Sequence, residues 1–176
     1  TYSAEVTRFL RPALLILLNE LPGLHLLLLG NSSKHFAVNL VTAVPRFRHR
    51  IHRTGTLPDL DLSHHIAACD LMLQPYPDGL STRRTSLMNA LAHNIAVVSN
   101  TGHLTEDFWH TSDAAALSPV SEPHRLAEDC LRLLRNPEER ARLAHNGLAL
   151  YRSRFDWPHL IARLRSSTAP PSAHSK

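Results

Sequence analysis

Apolar side chains at Val6, Phe9, Leu10, Ala13, Leu14, Leu17 and Leu18 recur at the three- and four-residue spacing of one buried helix face, which predicts a helix over residues 4–20. Pro22 and Gly23 stop it. The run LHLLLLG that follows is short, apolar and closed by Gly30, the pattern of a strand covered on both faces. A second helix is expected from Ser33 to Val44, ended near Pro45, and HRIHRTG reads as a short strand running into Gly55. Asp59, Asp61 and Ser63 offer N-caps for a helix through Ala68, and DLMLQP is a third buried strand closed by Pro75. A turn at Pro77-Asp78-Gly79 leads into a helix that Ser81 or Thr82 can cap and that runs to about Asn94; IAVVS is then a fourth buried strand. AAALS supplies a fifth. Two amphipathic helices over 123–135 and 137–153 are split at Asn136-Pro137, and a last helix spans about 158–165. The remainder, SSTAPPSAHSK, reads as a disordered tail.

Apolar strands alternating with helices imply an α/β fold: a Rossmann-like three-layer sandwich with a parallel sheet. One domain is expected over residues 1–165, with the tail at 166–176. In such sheets ligands bind beyond the carboxyl ends of the strands. The loops after Leu29, Arg53, Gln74 and Ser99 leave from that edge, so a site is expected from Gly30-Asn31, residues 55–57, residues 75–85 and residues 100–106.

Composition narrows the function. At 176 residues and 43% hydrophobic, the chain can bury one core. Cys69 and Cys130 lie far apart in apolar surroundings, which fits reduced thiols and a cytoplasmic location better than a secreted disulfide framework. The most apolar stretch, residues 24–29, is far shorter than the roughly 20 residues of a membrane span, and the N-terminus lacks a signal-peptide layout. No transmembrane segment is expected. The net charge of +4 is carried mostly by arginine, whose planar fork suits phosphate.

Two of those arginines stand out. In YPDGLSTRRTSLMNALAHNIAVVSN, residues 76–100, Arg83 and Arg84 are expected in the first turn of a helix, where the dipole already presents positive charge. An anion would relieve that conflict, because a helix N-terminus carries free amides that hold phosphate. The residues therefore point to a diphosphate bound by the helix end and both arginines. The alternatives are that both side chains point into solvent, or that one pairs with Asp78 across the turn.

Wording and element order sharpen this reading. The segments DLMLQPYPDGLSTRRTSLMNALAHNIAVVSNTGHLTE and EPHRLAEDCLRLLRNPEERARLAHNGLALYRSRFDW resemble the C-terminal, nucleotide-sugar-binding half of retaining glycosyltransferases of the GT-B fold, family 4, and the resemblance covers roughly residues 4–160. It implies that Gly30 and Asn31 face the donor, that Thr56 and Leu57 lie where the base is held, and that Asp78, Gly79, Leu80, Ser81, Thr82, Arg83, Arg84 and Thr85 surround sugar and diphosphate. Glu106 matches a family glutamate in the loop after the fourth strand. The family's two glutamates eight positions apart correspond to Ser81 and Asn89, which can hydrogen-bond a sugar and a ribose hydroxyl but bring no charge. Its usual glycine and proline before the next strand are Asn94 and Ala96. The Ser-Thr-Arg-Arg wording resembles a bacterial branch. The family's opening strand, with a loop carrying an Arg and a Lys, and its N-terminal acceptor-binding half have no counterpart in these residues.

Other chemistries fit less well. RFRHRIHR, residues 46–53, is densely basic but has no aromatic interleaving beyond Phe47 and no nucleic-acid-binding signature, so a solvated basic face is expected and no nucleic-acid partner. His49 with His52, and His64 with His65, are not at the helical spacing of a metal pair, and no carboxylate or cysteine cluster completes them; no metal site is expected. No G-x-S-x-G elbow or phosphate loop exists. Trp109, Phe155 and Trp157 are expected in core or interdomain packing, with an apolar patch near the last helix. The leading expectation is the donor half of a glycosyltransferase that uses a nucleoside diphosphate sugar as substrate, needs no further cofactor, and lacks activity without the acceptor-binding half. The alternative is a degenerate, non-catalytic nucleotide-binding or interaction module, which the loss of both motif carboxylates favours.

Overall fold

The computed structural model describes residues 2–119 and 121–167. Helices α1 (Ala4–Glu20), α2 (Ser33–Ala43), α3 (Asp59–Ala67), α4 (Thr85–Ala92), α5 (Phe108–Thr111), α6 (Pro123–Arg135), α7 (Pro137–Arg154) and α8 (Trp157–Ser167) alternate with strands β1 (Leu26–Leu28), β2 (Ile51–Arg53), β3 (Leu71–Leu73), β4 (Ala96–Thr101) and β5 (Ala116–Pro119). The expected tail lies outside the described residues except for Ser166 and Ser167, which close α8.

All strand pairs are parallel, but the sheet is in two pieces: β1 pairs with β2, and β3 with β4 and β4 with β5. Two faces are visible in the alternation along β4. Ala96 and Val98 join a core built largely from α1, α2 and α6, whereas Val97 joins a second core with Leu87, Ala90 and Leu91 of α4 and Trp109 of α5. Helices therefore cover both faces, as the continuous apolar strands require. The exception is β2, whose His52 and Arg53 are exposed because it forms an outer edge.

Helix α1 supplies much of the first core. Leu10, Leu14, Leu17 and Leu18 are each buried, a gain of about 1.5–3 kcal/mol per side chain. Ser3 caps its start by accepting the Val6 amide at 3.3 Å.

The basic run is exposed at Arg46, Arg48, His49, His52 and Arg53, as expected of a solvated face, and departs from that expectation at Arg50. Residues 45–50 form a 3-10 helix, and Arg50 is buried at 6% exposure. Its guanidinium donates to the Leu18, Leu21 and Pro22 carbonyls at 2.7, 2.8 and 3.0 Å, and stacks on Phe47 at 4.6 Å. Arg46 donates to Asn19 Oδ1 at 2.7 Å. The Leu18 carbonyl is one of the orphan carbonyls of the α1 C-terminus and Leu21 is its C-cap, a place where a cation is also favoured by the helix dipole. Arg46 and Arg50 thus clamp the end of α1.

Two cap assignments also change. The residue before α3 is Pro58, with Asp59 and Asp61 inside the first turn, where their charge suits the dipole without a side-chain cap. Helix α4 ends at Ala92, and Asn94 takes a left-handed φ of 58°; asparagine tolerates that conformation, which explains how it stands where the resemblance expects glycine.

Replacing Arg50 by alanine is expected to cost about 2 kcal/mol of stability, since three carbonyls lose a charged donor. Urea denaturation of Arg50→Ala and Arg50→Lys tests this: lysine should recover only part of the loss, having no planar fork.

Candidate functional site

At the carboxyl edge of β3 and β4 two loops cross, one over residues 74–84 and the other over 102–107. Their backbones nearly touch. Gly79 has φ of +91°, and a Cβ placed on it would lie 2.3 Å from the Gly102 amide nitrogen and 2.4 Å from Thr105 Oγ1. Leu80 donates its amide to the Asn100 carbonyl at 2.8 Å, and Leu104 donates to the Asp78 carbonyl at 3.0 Å. The fully buried Asn100 ties the first loop from below: its Oδ1 accepts the Tyr76 amide at 2.7 Å and its Nδ2 donates to the Tyr76 carbonyl at 2.8 Å.

Glu106 supplies the second tie. It accepts the Thr82 hydroxyl at 2.7 Å, the Thr82 amide at 3.1 Å and the Trp109 indole N–H at 2.9 Å. Desolvation alone would raise its carboxyl, but these hydrogen bonds outweigh it and hold the group below its ordinary range. The carboxylate that the sequence left without a role is therefore a bridge between the Thr82 turn and Trp109.

The arginines sit differently from the expectation. Ser81 to Arg84 form a turn closed by the Arg84 amide donating to the Ser81 carbonyl at 3.2 Å, so Arg83 and Arg84 precede α4 instead of occupying its first turn. Neither Ser81 nor Thr82 caps the helix. Ser81 is buried at 2% exposure and Thr82 is held by Glu106. Arg84 stacks on the Tyr76 ring at 4.6 Å and lies 3.5 Å from an Asp78 oxygen, realising the alternative of a pair across the turn. Arg83 is exposed and has no ion pair among the described residues.

What remains open at this edge is polar. The amides of Thr85, Ser86 and Leu87 have no hydrogen-bond partner among the described residues, and neither do the buried Ser81 Oγ and Arg84 Nε. Buried polar atoms are normally paired. Asn89 is exposed on the face of α4 that also carries Ser86 and His93; Ser86 Oγ meets the Tyr76 hydroxyl at 2.8 Å and His93 Nε2 meets Ser63 Oγ of α3 at 2.6 Å. Leu80, by contrast, is fully buried, so its side chain serves the core.

The other candidates form a second patch, on the β1–β2 half. Gly30 and Gly55 bridge each other, and Ser33, buried at the start of α2, accepts the Gly55 amide at 2.9 Å. Asn31 and Thr56 are exposed and Leu57 is half-buried. No hydrogen bond or ion pair joins this patch to the first among the described residues. Sequence reading missed Lys34, whose Cε lies 3.1 Å from the place a Gly55 Cβ would occupy. It is a further cation at the same edge. The signal was available, since α2 has no acidic residue in its first turn.

His52 faces His25, ring nitrogens 2.8 Å apart, and not His49; no group of three or more metal-ligating side chains occurs among the described residues. No helix of the described residues is long and apolar enough to cross a membrane.

The parallel α/β layers define a Rossmann-like domain of the kind that forms the C-terminal domain of GT-B glycosyltransferases. A family model described as "Glycosyl transferase-like" matches residues 8–166, and the chain belongs to that family. Among solved structures it is similar to WaaG, a glycosyltransferase involved in lipopolysaccharide biosynthesis, at 16% identity and a TM-score of 0.73 over 96% of this chain and 45% of that one. It is also similar to the C-terminal domain of LpcC, a glycosyl transferase group 1 family protein from Francisella tularensis, at 16% identity and a TM-score of 0.71 over 87% of this chain and 80% of that one. Anabaena Alr3699/HepE in complex with UDP and glucose matches at 20% identity and a TM-score of 0.69 over 94% and 45% of the two chains. The chain thus spans less than half the length of WaaG and HepE. No curated protein matches it.

Two outcomes are expected at the loop crossing. Gly79→Ala should cost about 3 kcal/mol in denaturant titration, because a side chain meets backbone there in a left-handed conformation. The Glu106 bridge, whose folded carboxyl titrates below its unfolded value, should contribute fully above the ordinary carboxylate range and fade as pH falls through and below that range. The stability difference between the natural chain and Glu106→Gln, followed by Trp109 fluorescence, should shrink over that window.

Proposed function

We propose that the loop crossing and the start of α4 bind the diphosphate and sugar of a nucleoside diphosphate sugar, and that this chain is the C-terminal donor-binding half of a retaining, family 4 GT-B glycosyltransferase of hexosyltransferase type. The observation that carries the reading is the combination at one place of a buried, unpartnered Ser81 hydroxyl, an unpartnered Arg84 Nε and an uncapped helix start. A phosphate oxygen would satisfy such donors together. Arg83 adds a cation free to reach the ligand. Arg84 is pre-set by Tyr76 and Asp78, so less of its side-chain freedom is lost on binding. In transfer, the helix start and arginines would stabilise the charge left on the departing diphosphate, a role that needs no metal. Asn89 and Ser81 would hydrogen-bond ribose and sugar, and Gly30, Asn31, Thr56, Leu57 and Lys34 would line the far side of the donor. That HepE is known with UDP and with UDP-glucose supports a uridine donor. The reduced state of both cysteines is consistent with a cytoplasmic enzyme. The acceptor side would come from the N-terminal half, and the exposed Trp157 and Ile161 of α8, at 73% and 43% exposure, offer apolar surface to it.

One observation favours the second reading, a nucleotide-binding module without transfer. Both carboxylates at the crossing are engaged, Asp78 by Arg84 and Glu106 by Thr82 and Trp109, so neither is free to act on a sugar.

Calorimetric titration with UDP, GDP and UDP-glucose tests the site. Saturable binding is expected, weakened about tenfold by Arg83→Ala, the loss of one charged hydrogen bond. Unchanged affinity in Arg83→Ala and Ser81→Ala would remove the proposed donor site. Sugar transfer by the longer polypeptide separates the two readings.

A further inference from the structure

The register of β1 on β2 brings two histidines together that lie 27 residues apart in the chain. Leu27 of β1 is paired with His52 of β2, and His25 lies two residues before Leu27, so the alternation of side chains along the strands puts His25 and His52 on one face of the pair. The other face is apolar: Leu26, Leu28 and Ile51 are buried in the first core. Both imidazoles are exposed. His25 Nδ1 and His52 Nε2 are 2.8 Å apart and the ring centroids 5.1 Å apart, so the two nitrogens point at each other along the line between the rings. Such a contact holds one proton between two lone pairs.

That spacing suits a metal ion. Ligand nitrogens about 2.0–2.1 Å from one ion are about 2.9 Å apart when they subtend a right angle and about 3.3 Å apart at the tetrahedral angle. The observed 2.8 Å is close to the right-angle value, which belongs to the square-planar and tetragonal geometry of Cu(II) and Ni(II). A modest turn of each exposed ring aims both lone pairs at one point. Charge makes the same selection. No Asp or Glu occurs between Glu20 and Asp59, whereas Lys34, Arg46, Arg48, Arg50 and Arg53 all do. A hard cation such as Mg(II) or Ca(II) relies on oxygen ligands, carboxylates above all, and finds none of those on either strand. A neutral imidazole needs no charge to coordinate, so a nitrogen-preferring transition metal fits these surroundings. No group of three or more metal-ligating side chains occurs among the described residues, so water completes the coordination.

We infer that His25 and His52 form a two-histidine site for a divalent transition metal of the Cu(II)/Ni(II) class, which clips β1 to β2. The ion takes the place of the shared proton: that proton moves to the outer nitrogen of its ring, and both inner nitrogens coordinate. His25 lies at the amino end of β1, opposite the carboxyl edge assigned to the donor. The inference therefore stands without the proposed function, and its test uses no nucleotide.

Chlorides of Cu(II), Ni(II), Zn(II) and Mg(II), added singly to this chain at neutral pH, provide the test. The first equivalent of Cu(II) should give an electron paramagnetic resonance spectrum with two imidazole nitrogens, Ni(II) should bind more tightly than Zn(II), and Mg(II) should not bind. In the natural chain, substoichiometric Cu(II) should broaden the NMR signals of both rings and of the amides of Leu26–Leu28 and Ile51–Arg53 before any others, a readout that needs no variant. His25→Ala and His52→Ala should each weaken Cu(II) and Ni(II) binding about tenfold or more, because a chelate becomes a single ligand; His35→Ala and His49→Ala should leave it unchanged. The metal should raise the melting temperature of the natural chain and of neither His25→Ala nor His52→Ala, since only an ion that binds the folded state stabilises it. Broadening centred on another histidine, a one-nitrogen spectrum, or undiminished affinity in His25→Ala and His52→Ala overturns the inference. So does tighter binding of Zn(II) than of Ni(II), which the right-angle spacing does not allow.

Discussion

The contact between Gly79 and Gly102 sets the geometry of everything at the carboxyl edge of β3 and β4. Two loops can cross with their backbones this close only where neither carries a side chain at the crossing. Once they cross there, Asn100 can reach Tyr76 from beneath and Glu106 can reach Thr82 from the other loop. Those ties fix the turn at residues 81–84, and that turn decides where both arginines point. The site is therefore rigid at its base, through backbone contact and buried amides, and polar at its rim.

Charge is distributed by the same logic. Arginine carries the positive excess of the chain, yet much of it is committed internally. Arg50 closes the end of α1, Arg132 bridges Asp129 and Glu139 between α6 and α7, and Arg142 meets Asp113. Arg84 is partly committed, held over Tyr76 beside Asp78. Exposed pairs of this kind contribute little to stability, so the informative cations are the ones left over at the strand edge. Among the described residues these include Arg83 and Lys34, on opposite halves of the split sheet.

Local signals in the sequence were sufficient for most elements, the short α5 and the 3-10 helix at residues 45–50 excepted. The heptad-like spacing of leucines in α1, the short apolar runs of β1, β3 and β4, and the break at Asn136-Pro137 each act within a few residues, so helices and strands fell close to where they were read. What stayed hidden depends on partners far away in the chain. Arg50 meets carbonyls 28 to 32 residues earlier, and Glu106 meets Thr82 24 residues earlier. No periodicity encodes such a meeting. The start of α4 was misplaced for a related reason: Ser81 and Thr82 are good caps in isolation, but burial takes the first and Glu106 the second, and the helix begins at Thr85. The parallel-sheet reading supplied the ligand edge, and the resemblance to glycosyltransferases supplied the candidate donor contacts that composition alone left open.

The two outer strands of the sheet carry residues unsuited to further pairing. Strand β5 ends in Pro119, which has no amide to donate, and β2 exposes His52 and Arg53 along its side. Charge and proline at a rim are how natural sheets discourage chain-to-chain stacking. Both rims are blunted in this way, so the architecture discourages fibrillar growth outward from either side of the molecule.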